Sequence, residues 1–498
     1  MESPNPDRGA SESPAGPESW NWDPESFRAH GHRAVDWVAD YLARVGELPV
    51  LPAVRPGDVA RGLPEHPPEH GEPFDALLSD LDRVVVPGLT HWNHPGFFAY
   101  FGITASGPGI LGELVASAFN TNGMLWKTSP ATTEVEQHVL RWMLEMFDLP
   151  RDWFPQLVDT ASIGTLVALA AAREAQADLE IRKEGLAAPG HPRLRAYASE
   201  QAHSSVEKAL ITLGLGQAGL RKIPTDESFR MDVRALRQAV EEDRADGWRP
   251  FAVIATVGTT STTSVDPVSE IADLCREHRL WLHVDAAYAG TAALLPEMRA
   301  HFAGCDRADS YLMNPHKWMF VPIDCSAFYT AHPDVLQRAF QLVPDYLRTE
   351  PAAHATDLMN YGVQLGRRFR AIKLWWVIRT FGVEGLRSRV REHCRLAREL
   401  ARWIGSDDRF EISAPAPFST VCFRGRWPGL PDEGEDAANE DLARRVSGHG
   451  PVFLATTRLR GRTTLRLAIG NLRSEESHVR LAWELLQSEH AAAGENAG

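Results

Sequence analysis

The feature that most constrains this chain is the run Phe251-Ala252-Val253-Ile254-Ala255-Thr256-Val257, which is apolar almost throughout and does not alternate. A strand with one face in water alternates apolar and polar side chains. A strand without that alternation must be covered on both faces. A helical pattern follows from Val268 to Glu277, then a second apolar run, Leu280-Trp281-Leu282-His283-Val284-Asp285. Ser310-Tyr311-Leu312-Met313 reads as a third strand, and Val321-Pro322-Ile323-Asp324-Cys325-Ser326-Ala327-Phe328-Tyr329 as another strand-like run. Leu140 to Leu149, Leu166 to Arg173 and Ser205 to Leu213 read as helices. Strand, helix, strand with uniformly apolar strands predicts an α/β fold, a mostly parallel sheet covered by helices. Ligands of such sheets sit at the carboxyl ends of the strands.

The rest of the chain frames that sheet. Its 498 residues suffice for two or three domains. Residues 1–21, rich in Pro, Ser, Glu and Gly, read as a disordered leader. Phe27, Ala34, Val35, Val38, Tyr41, Leu42 and Val45 recur at helical spacing, as do Phe74, Leu77, Leu78, Leu81 and Val84. Two such helices cannot bury their own stripes, so they need another surface, in the same chain or a second subunit. Beyond Arg379, helices from Gly385 to Ile404 and Glu476 to Leu486 flank shorter strands at Thr420-Val421-Cys422-Phe423 and Leu465-Arg466-Leu467-Ala468-Ile469, the pattern of a smaller α/β domain. The acidic stretch from Asp432 to Asp441 is expected to be an exposed loop.

Composition excludes several classes. The formal net charge of −14 disfavours nucleic acid or an anionic membrane as partner. No apolar run approaches the ~18 residues of a spanning helix, and no signal peptide is evident. The 19 histidines show no metal-ligand spacing, so no metal is expected. Five cysteines, odd in number and far apart, suit reduced thiols in a cytoplasm.

The chemistry collects at the ends of the expected strands. Asn314-Pro315-His316-Lys317-Trp318 places a lysine at the mouth of a buried strand, where desolvation favours the neutral, nucleophilic amine. Asp285 ends another strand; it reads either as the partner of a cationic group such as a protonated ring nitrogen or as a cap on a neighbouring loop. Asp159-Thr160-Ala161-Ser162-Ile163-Gly164-Thr165 runs into an apolar helix, so it is a phosphate cradle or an ordinary N-cap. His203 precedes a helix and either stacks on a flat ring or is structural. Gly258-Thr259-Thr260 brings hydroxyls to a third strand end. The stretch from Pro87 to Phe101, dense in aromatic residues, is a packed core loop or the wall of a pocket for a flat substrate. The five strand-end signals together point to pyridoxal phosphate on Lys317.

Thr160-Ala161-Ser162, Ala202-His203-Ser204-Ser205, His283-Val284-Asp285-Ala286-Ala287-Tyr288-Ala289-Gly290 and Asn314-Pro315-His316-Lys317-Trp318 closely resemble the group II pyridoxal-phosphate decarboxylases, nearest to the aromatic L-amino acid decarboxylases. His91-Trp92 and Leu365-Gly366-Arg367-Arg368-Phe369-Arg370 resemble them too, and the likeness runs from about residue 22 to 488. The resemblance implies an aspartate-aminotransferase-like fold (fold type I) with an N-terminal dimer-wrapping segment, 22–95, a large cofactor domain, 96–385, and a small C-terminal domain, 386–498. It implies that Lys317 carries pyridoxal 5'-phosphate, Asp285 pairs with the ring nitrogen and His203 stacks on the ring. Ala161, Ser162, Asn314 and His316 would surround the phosphate, with Thr260 and Ala287 bordering the cofactor. Trp92, Tyr100, Phe101, Thr104, Met124 and Gly366 would line an aromatic amino-acid pocket. The partner would be a second copy of the chain, in a homodimer with the site at the interface.

The same resemblance assigns Tyr346 as the residue that protonates carbon after CO₂ leaves, which favours decarboxylation over an aldehyde synthase with Phe there. Gly366 stands where histidine-specific relatives carry Ser, and so admits a larger ring. The Trp92, Tyr100 and Phe101 wall disfavours a glutamate-type decarboxylase, and Lys317, Asp285 and His203 together disfavour a non-catalytic interaction protein. The chain departs from animal relatives at Ile163-Gly164, where they carry Glu-Ala, at Asn122 and Met124, and in an extra residue at Gly102-Ile103.

Overall fold

The structure is a computed structural model that describes residues 21–342 and 355–495. Tyr346 and residues 1–20 of the expected leader lie outside the described residues. The chain divides into two compact units, the first ending at His91 and the second starting at Trp92.

In the first unit, the helix Pro24–Arg44 starts at Asp23, whose carboxylate accepts the N–H groups of Glu25 and Ser26. None of its residues is buried. Trp22, His30 and Phe74 form a ring cluster that ties it to the helix Phe74–Asp80, and Asp82 accepts from Trp37 at 3.2 Å and Arg44 at 2.5 Å.

The second unit is built on seven strands: β1 Phe154–Val158, β2 Arg193–Ser199, β3 Leu220–Ile223, β4 Trp248–Thr256, β5 Trp281–Asp285, β6 Ser310–Met313 and β7 Ser326–Thr330. Their spatial order is β1-β7-β6-β5-β4-β2-β3. All pairs are parallel except those of β7, which runs antiparallel to β1 and β6. Every residue of β5, β6 and β7 is buried, the physical reason these strands read as unbroken apolar runs. Because β7 alone is reversed, the carboxyl ends of β1, β2, β4, β5 and β6 share one edge.

A second sheet, in order β10-β11-β9-β8, is antiparallel throughout: β8 Phe410–Ile412, β9 Thr420–Gly425, β10 Ala455–Leu459 and β11 Arg462–Ala468. Phe410, Val421, Phe423, Leu465 and Leu467 meet Leu396, Leu400, Val479 and Trp483 from two flanking helices in its core.

Three local expectations need correction. Residues 432–441 are not a loop: Asp432–Gly448 is a helix. Asp432, Glu433 and Glu435 occupy its first turn, where the helix dipole favours negative charge. Glu435 and Asp436 also pair with the buried Arg424, at 3.3 and 3.0 Å, and with Arg462 and Arg458. Tertiary partners turn an acidic run into a docked helix. Of the run 321–329, only the end is strand, because Pro322 has no N–H for a ladder. The helix expected from Gly385 belongs to Ala371–Gly405, interrupted at Gly382 with φ +65.

The core buries titratable groups. His283, whose Nδ1 pairs with Ser310 Oγ at 2.9 Å, is pushed down to about 4 by burial. His393, whose Nδ1 accepts the Trp318 Nε1–H at 2.9 Å, is pushed down to about 3, again by burial. Between pH 6.5 and those values the unfolded chain takes up protons that the native state excludes, so stability held above that pH is lost as pH falls. Each histidine removes about 1.4 kcal/mol per pH unit in that window. Urea unfolding of the protein and of His393→Asn, which keeps an acceptor for Trp318, from pH 7 to 4.5 measures this. The variant's stability falls less steeply, by about one proton; identical slopes contradict a neutral buried His393.

Candidate active site

Lys317 lies on the single-turn helix Pro315–Trp318, which begins directly after β6 with Asn314 as its N-cap. Pro315 is tolerated at a first helical position, so the strand converts to a helix within two residues. The neighbours Asn314, His316 and Trp318 are buried. Burial lowers the pKa of the Lys317 amine, the Asp285 carboxylate opposes the shift and the Arg466 cation adds to it. The amine is thereby poised toward its neutral, nucleophilic form.

Asp285 terminates β5 and is 5% exposed. One of its oxygens accepts the Ala287 N–H at 3.0 Å, and the Ala287 carbonyl accepts the Asn314 N–H at 3.0 Å. Asp285 and Lys317 therefore stand on adjacent strands at one edge. His203 lies just beyond β2, where its Nδ1 pairs with Ser205 Oγ at 2.9 Å and accepts the Ser205 N–H at 3.1 Å. Accepting that N–H places the ring proton on Nε2 in the neutral form. Desolvation lowers the His203 pKa; Asp285 opposes this and Lys317 reinforces it, so the ring feels both groups.

After β1, the helix Ala161–Glu174 starts with Thr160 in extended backbone and no side-chain cap. Its first N–H groups, including those of Ala161 and Ser162, are free to receive an anion. Gly164 permits the close packing behind this helix start, since a Cβ there would lie 2.6 Å from Leu312 Cδ1 of β6. His316 faces the same edge; its Nδ1 accepts the Cys325 N–H at 3.0 Å, and burial, then the Lys317 charge, pushes it down to about 3. It is a neutral imidazole with its other nitrogen as donor. The buried Asn314 Oδ1 has no partner among the described residues. Thr260 follows β4 in a turn that opens at Gly258, φ +87, whose α-carbon approaches Ala289 so closely that a Cβ would stand 2.5 Å from that residue's own.

An aromatic stack supports the lysine. Phe101 stacks on Tyr288 at 3.7 Å and 13°, and Tyr288 on Trp318 at 4.7 Å and 6°. The Lys317 ammonium lies 5.3 Å from the Phe101 ring centre. Trp92 stacks against Tyr100 at 6.0 Å, and Tyr100, 57% exposed, has φ +50. Thr104 is fully buried, with its hydroxyl 3.4 Å from the Leu472 N–H. Met124 and Gly366 belong to a separate group: the Met124 carbonyl accepts the Met359 N–H, and Gly366 has only Asn122 Nδ2, at 3.9 Å, near the place of a Cβ. No hydrogen bond or ring contact among the described residues joins that group directly to Lys317.

Arg466 on β11 was not singled out by sequence reasoning. Its guanidinium lies 4.4 Å from the Phe101 ring centre, donates to the Ser261 carbonyl at 3.1 Å and to the Tyr100 carbonyl, and leaves Nη2 buried without a partner among the described residues. A buried arginine with a spare donor beside a nucleophilic lysine has the chemistry to receive a carboxylate. Only an arginine inside an otherwise apolar strand, Leu465-Arg466-Leu467, hinted at it in the sequence.

An uncapped helix start for a phosphate, a carboxylate for a ring nitrogen and a desolvated lysine on one sheet edge fit pyridoxal phosphate and define a pyridoxal-phosphate enzyme. Residues 56–426 match the family described as the pyridoxal-dependent decarboxylase conserved domain, and the chain belongs to that family. It is 40% identical over 474 residues to an aromatic-L-amino-acid decarboxylase of Sus scrofa, covering 92% of this chain and 95% of that one. It is 39% identical over 483 residues to tryptophan decarboxylase 1 of Oryza sativa subsp. japonica, covering 93% of each. A crystal structure of Oryza sativa TDC with PLP and tryptamine superposes with TM-score 0.91 at 39% identity, over 95% of this chain and 99% of that one.

Gly258→Ala combines a positive φ with a clash against Ala289, and its expected cost is roughly 2–4 kcal/mol. Urea midpoints of the two proteins measure it; equal midpoints would show that the turn carrying Thr260 can relax at no cost.

Proposed function

We propose that the protein decarboxylates an aromatic L-amino acid to the corresponding amine and CO₂. The observation that carries the reading is the placement of Lys317, Asp285 and the spare donor of Arg466 around one aromatic wall. Bound pyridoxal phosphate supplies an electron sink for the electrons left at Cα when the carboxylate departs. Lys317 would hold the cofactor through its amine. Asp285 would keep the ring nitrogen protonated, and His203 would cover the ring with its Nε2–H available as a donor. Ala161 and Ser162, with Asn314 and His316, hold the phosphate, while Thr260 and Ala287 border the ring. Arg466 receives the α-carboxylate and thereby fixes the bond to be broken; Phe101, Tyr100 and Trp92 offer flat surfaces to the side chain. Tyr346 or His203 delivers the proton to Cα.

The enzyme is proposed to be a cytoplasmic homodimer. The exposed faces of Leu111, Leu114 and Phe119 on one helix, and of Trp22, Phe27 and Val35 near the N-terminus, suit a second copy of the chain. Its partner would bring Met124 and Gly366 to the pocket that Thr104 borders, with segment 22–95 wrapping across and the domain 386–498 closing over 96–385. Five free, buried cysteines suit a reducing compartment. Among the described residues no helix is long and apolar enough to cross a membrane. A single-chain mass in sedimentation at micromolar concentration ends the dimer reading.

Purified protein supplied with Dopa, tyrosine, tryptophan, phenylalanine and glutamate tests the reaction. An aromatic amine and CO₂ in equal amounts are expected, without peroxide. Aldehyde, ammonia and peroxide would replace the reading with an aldehyde synthase, and turnover of glutamate alone with a glutamate-type enzyme. In Lys317→Ala, borohydride no longer traps cofactor at position 317. Arg466→Met raises KM by about tenfold or more, about 1.4 kcal/mol, while cofactor absorbance persists; an unchanged KM removes Arg466 from carboxylate binding.

A further inference from the structure

We propose that Arg370 is a positioning residue for the cofactor: one guanidinium bridges Asp159 and Asp324 and so sets the spacing between the phosphate-binding helix start and the turn that carries Lys317. The inference rests on the assignment of Ala161, Ser162 and His316 to the phosphate.

The geometry is specific. Asp159 is the first residue after β1 and stands two residues before Ala161. Asp324 lies in the segment that returns from the Lys317 helix to β7. Arg370 is 8% exposed and spans the two, with Nε 2.8 Å and Nη2 3.3 Å from the Asp324 carboxylate, and Nη2 2.9 Å from Asp159 Oδ1. Arginine suits this place because its planar fork donates to both Asp324 oxygens while its charge also reaches Asp159; a lysine ammonium is a point charge without that geometry.

Both ends of the bridge connect directly to cofactor-holding atoms. Asp324 adjoins Cys325, whose N–H donates to His316 Nδ1 at 3.0 Å and whose carbonyl accepts the His316 N–H at 3.2 Å. That pairing fixes the imidazole that offers its other nitrogen to the phosphate. Asp159 is held from its other side as well: Gln364 Nε2 donates to Oδ2 at 2.5 Å, and Ser326 Oγ donates to its carbonyl at 3.3 Å. Burial works to raise the Asp324 pKa, but the hydrogen bonds and charge of Arg370 outweigh it and hold the carboxyl below its usual range. Asp324 is therefore a committed anion, held chiefly by Arg370. A phosphate clamped by backbone N–H groups on one side and an imidazole on the other is sensitive to shifts on the order of 1 Å between the two.

Loss of the guanidinium leaves two carboxylates uncompensated, so stability and positioning have to be separated. Arg370→Lys keeps the charge but cannot bridge. The triple variant Arg370→Gln, Asp159→Asn, Asp324→Asn removes the charge imbalance together with the bridge. Apoprotein of each is titrated with pyridoxal phosphate by absorbance and tryptophan quenching, and thermal midpoints of the apo forms are measured in parallel. The expected result is cofactor affinity weakened at least tenfold in both variants, with the apo midpoint of at least one close to that of the unsubstituted protein. Cofactor affinity within twofold of the unsubstituted protein in either variant overturns the proposal. So does weakening that only tracks a lowered apo midpoint in both, since that assigns Arg370 to stability alone. These outcomes are independent of the amine and CO₂ assay, and a failure to trap cofactor at Lys317 in the unsubstituted protein would be a failure of the functional reading instead.

Discussion

A half-buried lysine amine whose pKa is lowered by desolvation is the condition on which the rest of the site depends. Lys317 could not be kept so at a solvated loop; it is held on a one-turn helix that follows a buried strand and ends at the buried Trp318. The surrounding charges set a balance. Asp285 alone would favour the ammonium, and burial and Arg466 work against it. In the proposed reaction the same three groups would serve as an amine to carry the cofactor, a carboxylate for its ring nitrogen and a cation for the group that leaves. One electrostatic arrangement thus tunes the nucleophile and, in the proposed reaction, would orient the substrate.

That arrangement is supported from behind by arginines in a short stretch of chain. Arg367 enters the interior to meet Glu136 at 2.5 Å, while Glu136 also accepts the Leu157 N–H of β1 at 2.8 Å. Arg370 joins Asp159 to Asp324. Buried ion pairs of this kind contribute little net stability, because desolvation offsets the attraction, but their geometry is exacting. Their use here is to fix distances between segments far apart in sequence. The aromatic stack of Phe101, Tyr288 and Trp318 does the same for the floor of the site by packing.

Much of this was legible in the chain. The continuous apolar runs read as buried parallel strands because a covered strand has no polar face to display, and β4, β5 and β6 are such strands. Lys317, Asp285, His203 and the 161–162 helix start could be placed at one edge because strand ends are visible in sequence. Local pattern failed where tertiary partners decided the outcome. Residues 432–441 read as a loop from their charge, yet Arg424, Arg458 and Arg462 make them a helix. Arg466 was passed over because a single arginine in a strand has no meaning until its neighbours are known.

The sequence by itself determined the alternation of strands and helices, and with it the edge where a cofactor must sit. It also supplied the residue types that edge needs, since motifs at strand ends are local in the chain. Only the tertiary structure decided which of those residues share an environment: Arg466 beside Phe101, Trp318 under Tyr288, and Arg370 between Asp159 and Asp324. The physical reason is range. Periodicity and capping act over a few residues, whereas desolvation and charge pairing depend on contacts between residues tens to hundreds of positions apart, which arise only when the chain is packed.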